Sequence, residues 1–314
     1  MENAQRAAQL VTVAILATTI CASAEVRKEF RFTVGPRASI SVSNQYGPIT
    51  VRPGSGNQVV VTAILHSDRA EIDQSQSGNR VDIVSHLFFE ATAETGRIDY
   101  ELIVPTDASV TLRSSTGPLQ AQGLHGDVVL EGSQANIDVR DISDAHVHVK
   151  TLNGSVALTN IRNGHVEITS VGGDVTLNRV SGPQVQVNST SGKIHYEGDF
   201  GNSGEYYLAS HSGDIEASAP NNASIDVTAR SVRGQVENDF LLEPKHTPFV
   251  VKAGSAFAGT MNKAASSVHC FPSVVKFTSR SAKNIQTVRL GGMFPELSSL
   301  SRVCVPAWVG VPKP

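Results

Sequence analysis

Aromatic residues are scarce in this chain, 5 % of 314 positions with a single tryptophan, which argues against a bulky core built around rings. Charge of one sign is missing too. The formal net charge is -3, and Lys and Arg are dispersed rather than gathered into a stripe, so DNA and RNA are discounted as partners. Cysteine is limited to Cys21, Cys270 and Cys304, with no zinc-type cluster. There is no Gly-rich phosphate loop and no dinucleotide fingerprint. Beyond the first 24 residues no apolar run is long enough for a membrane span.

What is present is Gly at 26 positions and apolar residues at 40 %, a balance that suits thin β layers filled by Val, Ile and Leu. Arg6 precedes an apolar run from Ala7 to Ile20, and Ala22-Ser23-Ala24 forms a small-x-small cleavage site. The run, roughly 14 residues, falls short of the roughly 20 that cross a bilayer, so residues 1–24 read as a signal peptide. The mature protein is expected to start near Glu25 and to be exported, to the periplasm or the cell surface. A lipid anchor on Cys21 is disfavoured by the preceding Thr18-Thr19-Ile20. Cys270 and Cys304 would remain in an oxidising compartment, either paired or as two free thiols.

Residues 25–114 hold strand-like alternations at Glu29–Val34, Ser39–Ser43, Ile49–Arg52, Val59–Leu65, Val81–Val84 and Ile98–Val104. Turn signals such as Pro53-Gly54-Ser55-Gly56-Asn57 separate them. This part is expected to form irregular β coils or a cap.

Residues 115–268 repeat. Gly154, Gly173, Gly192, Gly213 and Gly234 are spaced 19, 19, 21 and 21 apart, each followed by an x-apolar-x pattern. A second series runs at half the period: Val128/Leu130, Val147/Val149, Val166/Ile168, Val185/Val187 and Ile225/Val227. Ile142, Leu152, Ile161, Val171 and Val180, three positions beyond these pairs, are expected to add a further inward row. A short strand with one apolar face cannot bury that face alone, so successive periods must stack. The expected fold is all-β, a parallel β-helix or β-roll-like solenoid with coils of 19–21 residues. It aligns Val156, Val175 and Ile194, and its Gly and Asn corners suit positive φ. Glu25–Leu65 is expected to cap one end and Phe240–Val268 the other, and 269–314 is expected to be an atypical, poorly ordered tail.

Candidate chemistry is sparse. His146 and His148 straddle the inward Val147, and one coil later His165 and Glu167 should lie beside them, either as an exposed polar ladder or as a surface metal patch. Asp174, Lys193 and Asp214 should share one outward row, more suited to register than to catalysis. A calcium roll would need Asp at each coil's equivalent position, whereas Ser155, Lys193 and Gln235 stand there instead. Gly201-Asn202-Ser203-Gly204 lacks the spacing of a nucleophile elbow and reads as a turn. No residue is assigned a catalytic, cofactor-binding or metal-binding role, and no cofactor is expected.

Ile98-Asp-Tyr-Glu-Leu-Ile-Val-Pro105, Ala108-Ser-Val-Thr-Leu-Arg-Ser-Ser-Thr-Gly117, Asn44-Gln45-Tyr46-Gly47-Pro48-Ile49-Thr50-Val51 and the tandem Ser-Gly-Asp-Ile type repeats resemble a bacterial family of putative adhesins, a domain of unknown function. The resemblance covers residues 38–268. It implies an adhesin-like or envelope-binding role without enzymatic activity, the ligand being an envelope polysaccharide, an envelope protein or another copy. A polysaccharide-active enzyme is the alternative, to be recognised by a groove of clustered carboxylates with Arg or Lys. A purely structural or sensory envelope component is the third reading.

Overall fold

The computed structural model describes residues 25–231, 236–245, 256–271 and 275–280. The expected signal peptide, Gly234 and Cys304 lie outside them. Alternating apolar and polar residues produce 25 strands and no helix among the described residues. The N-terminal third supplies β1 (Val26–Thr33), β2 (Ser39–Tyr46), β3 (Ile49–Gly54), β4 (Gln58–Leu65), β5 (Ala70–Ser77), β6 (Arg80–Leu87) and β7 (Ile98–Pro105). The repeats supply β8 (Ser109–Thr116), β9 (Leu119–Gln122), β10 (Val128–Gln134), β11 (Ile137–Arg140), β12 (His146–Asn153), β13 (Val156–Ile161), β14 (His165–Gly172), β15 (Val175–Val180), β16 (Gln184–Ser189), β17 (Ile194–Glu197), β18 (Glu205–Ser210) and β19 (Ile215–Pro220). The remainder is β20 (Ile225–Arg230), β21 (Val236–Asn238), β22 (Glu243–Pro244), β23 (Ala256–Met261), β24 (Ser266–Phe271) and β25 (Val275–Arg280).

The protein is a β-solenoid. Each coil places one strand in a 12-stranded sheet A and one in a 13-stranded sheet B. From β8 to β19 successive coils pair in parallel, as the period requires. Val128, Val147, Val166, Val185 and Tyr206 form one inward column. Ile137, Val156, Val175, Ile194 and Ile215 form the facing one. Both columns are buried, and each such side chain contributes about 1.5–3 kcal/mol.

The repeat motif has a physical reading at its corner. A Cβ on Gly173 would meet the Gly154 carbonyl oxygen at 2.3 Å, one on Gly192 the Gly173 oxygen at 1.9 Å, and one on Gly213 the Gly192 oxygen at 2.1 Å. Close stacking, rather than the positive φ expected from the corner, is therefore what demands glycine at most of these positions; of the three only Gly173 has positive φ, 97°. The preceding serine reaches back, Ser191 Oγ donating to Val171 O and Ser212 Oγ to Thr190 O. The following Asp or Asn reaches forward: Asp174 Oδ1 accepts from Lys193 N, and Asn136 Oδ1 from Ser155 N.

One expected inward row divides. Ile142, Ile161 and Val180 are buried, but Leu152 and Val171 are 49 % and 45 % exposed. The reason is backbone conformation. Asp141, Asn160 and Arg179 have φ of 54°, 58° and 52°, which breaks the two-residue alternation and turns the next side chain inward. No such residue precedes Leu152 or Val171, so the alternation continues and Thr151 and Ser170 face the interior instead.

Stacking follows chain order only in the middle. At the first end, coil β6–β7 packs outside β2–β3, while β8–β9 returns to the inner side of β2–β3. Sheet A then ends on β1 and sheet B on β5, so the cap extends past Leu65. Arg27, Lys28, Glu29 and Arg31 protect the β1 edge against further pairing. At the other end β24 lies between β18 and β20, and β25 between β19 and β21. The chain thus places its last described coil inside, and β20, β21 and the antiparallel β22–β23 pair outside it.

The boundary expected at residue 269 therefore falls within a strand. Val268 and Cys270 are fully buried, and Cys270, a free thiol opposite Leu208, is an apolar core residue whose burial pushes its pKa up. The two extra residues that lengthen the period after Gly192 sit in the loop before β18. There Phe200, with φ 59°, enters the core and stacks on Tyr196 at 4.2 Å. Tyr196 OH donates to Val180 O and accepts from Phe200 N.

Candidate functional site

Polar residues between the core positions cover the outer faces of both sheets. On sheet B, register aligns Ser41, Thr111, Val129, His148, Glu167, Gln186, Tyr207 and His269 in one outward row. A flanking row runs His146, His165, Gln184, Glu205. The His patch assembles as the spacing requires: the His146 and His165 rings stack with centroids 5.1 Å apart, and His148 Nδ1 lies 3.3 Å from Glu167 Oε2. Among the described residues, no group of three or more His, Cys, Asp and Glu side chains converges as a metal cage.

Near the corner of sheet B a groove of about 470 Å³ is lined by Ser43, Arg113, Ser115, Glu131, Ser133 and Lys150, among others. Arg113 Nε donates to Glu131 Oε2 at 2.8 Å and holds the Glu131 carboxyl below the usual carboxylate range.

On sheet A, Asp174, Lys193 and Asp214 do share a row, immediately ahead of the paired Val175, Ile194 and Ile215. Beside it runs Thr176, His195, Glu216, Lys276, Glu237. Together these residues line a depression of about 320 Å³. His195 Nδ1 is 3.5 Å from Glu216 Oε2, and its Nε2 is 4.0 Å from Glu197 Oε2. The concentration of carboxylates and lysines that the repeats alone did not reveal arises because β25 and β21 bring in Lys276 and Glu237 out of chain order. Asp174 is partly committed to structure, since its carboxylate caps the Lys193 amide. Ser203 sits in a turn with φ 63°, where Gly201 N donates to Asp199 Oδ1.

The sequence model of the Toastrack DUF4097 family matches residues 38–263, well over half of the chain. No curated protein matches it. Among solved structures, a putative cell adhesion protein from Clostridium sporogenes aligns at 11% identity and TM-score 0.29, covering 81% of this chain and 100% of the other. A putative adhesin from Bacteroides fragilis aligns at 10% identity and TM-score 0.46, covering 82% and 99%.

Proposed function

We propose, from the premise that this chain belongs to the Toastrack DUF4097 family, that it is an exported, non-enzymatic solenoid whose outer sheet faces hold it to a cell-envelope surface. The observation that carries this reading is the regular spacing of outward side chains. Each row advances by one coil, about 4.8 Å, and the rows on a sheet are parallel, so Thr, Asn, Gln, His and Glu form a long two-dimensional array. An array of that kind suits a repetitive polymer better than a small enclosed substrate. Export is supported by Arg6, the apolar run to Ile20 and Ala22-Ser23-Ala24.

The sheet A depression favours a second reading, a polysaccharide-active enzyme. It gathers Asp214, Glu216 and Glu237 with Lys193 and Lys276, the combination glycoside chemistry uses when two carboxylates stand about 5–9.5 Å apart. One experiment separates the two. The purified protein is titrated with isolated envelope polysaccharide while reducing ends are measured. Saturable binding without new reducing ends is expected. Turnover abolished by Glu216→Gln would replace binding with catalysis, and no binding at all would remove the proposed role.

A further inference from the structure

The outer face of sheet B carries two exposed rings side by side. Tyr207 is 41 % and Phe271 38 % exposed, with centroids 5.3 Å apart and planes tilted by 38°. Large rings on a flat polar sheet leave apolar area in water, and here they are grouped. They stand diagonally across β18 and β24, because Tyr207 pairs with His269 and Ala209 with Phe271. The small Ala209 stands beside both rings, and the step down from them to it is the notch. On the preceding coil Gln186 stands beside Tyr207, Asn188 beside Ala209, and Gln184 beside Glu205. Among the described residues the side-chain amides of Gln184, Gln186 and Asn188 make no hydrogen bond to protein.

We infer that this notch is a binding subsite for a neutral hexopyranose unit of a glycan, an inference that rests on the envelope-binding reading and names its ligand class. A pyranose has an apolar face of C–H groups that packs on an aromatic ring and a rim of hydroxyls that both donate and accept. Amides, with a carbonyl oxygen and an NH₂ group, satisfy such hydroxyls from either side. The flanking charges give acidic sugars and phosphates no net advantage. The positions next to the rings hold Gln186, Asn188 and His269, with Glu205 on one side and Arg230, which the β20–β24 register sets beside Phe271, on the other, so a uronate or phosphate would meet a carboxylate as well as a guanidinium. The notch exists only because β24 is inserted beside β18, which brings Phe271 to Tyr207 from 64 residues away in sequence (271 less 207).

The test is calorimetric titration of the full chain with neutral hexose and N-acetylhexosamine oligosaccharides, with a polyuronate as anionic control, and competition of the same oligosaccharides against envelope polysaccharide. Binding of a neutral oligosaccharide is expected. Tyr207→Ala and Phe271→Ala should each weaken it about tenfold, while Tyr207→Phe, which keeps the ring, should stay within about threefold. Gln186→Ala leaves both rings in place and should also weaken it. Melting curves check that the variants fold, as exposed positions lead one to expect. Unchanged affinity in Tyr207→Ala and Phe271→Ala overturns the subsite. Envelope polysaccharide that binds but is not displaced by neutral oligosaccharides, or is displaced only by the polyuronate, overturns the ligand class and leaves the envelope-binding reading standing. Failure of both titrations overturns the two together.

Discussion

Replacing Gly192 with alanine is expected to lower the melting temperature by about 10 °C or to leave the protein insoluble. The added Cβ would lie 1.9 Å from the Gly173 carbonyl oxygen and 2.6 Å from its carbon. Both are backbone atoms of the neighbouring coil, so no side chain can swing away. Relief requires the two coils to separate, which strains the parallel ladder between β15 and β17. Overpacking against movable side chains costs about 1–3 kcal/mol, and a clash with fixed backbone belongs above that range. In a domain of this size each kcal/mol shifts the melting point by about 2–4 °C. Gly56→Ala is the control. Gly56 has φ 84° but nothing within 4 Å of an added Cβ, so only conformational strain applies. Thermal melts of the two variants decide the matter: if Gly192→Ala melted no lower than Gly56→Ala, close stacking would not be what fixes the glycine.

Phe277→Ala is expected to destabilise the protein by about 3–5 kcal/mol, the usual cost of emptying a large buried aromatic site. Phe277 is fully buried, and it meets Phe240 at 5.4 Å and Phe257 at 5.3 Å between centroids. Its backbone pairs with Ala217 on one side and Asn238 on the other. The residue therefore joins the regular solenoid to the outer coil and to β23 at its end. Urea unfolding of Phe277→Ala should show either a lower midpoint or a separate early transition of residues 225–280. A midpoint equal to that of the unaltered protein would place Phe277 outside the core.

Much of the architecture was legible because a solenoid writes its period into the chain. The parallel pairing, the alignment of Val156, Val175 and Ile194, the Asp174–Lys193–Asp214 row and the neighbourhood of His146, His148, His165 and Glu167 all follow from counting 19 residues per coil. Counting fails where the backbone departs from simple alternation. Leu152 and Val171 match Ile161 and Val180 in spacing and so read as inward, yet only the latter two follow a left-handed residue. Tyr206 and Leu208 continue the Val185/Val187 column, but a two-residue extension and an aromatic break the spacing that would reveal them. The same spacing rule cannot detect a coil inserted out of order. Ser266–Phe271 and Val275–Arg280 look like the end of a fading repeat, but their neighbours on both sides were made earlier in the chain. Lys276 in the sheet A depression and Phe271 in the aromatic notch were invisible for that reason.

Both candidate surfaces therefore depend on the insertion of β24 and β25, and hydrogen–deuterium exchange of the intact protein tests it most directly. Strands hydrogen-bonded on both sides in a sheet exchange through large openings, whereas a free tail exchanges at once. Amides of residues 266–271 and 275–280 are predicted to be protected as strongly as those of 205–210, against which β24 packs. Immediate exchange across 266–280, with 205–210 still protected, would contradict the inserted coil and dismantle the notch and the depression with it.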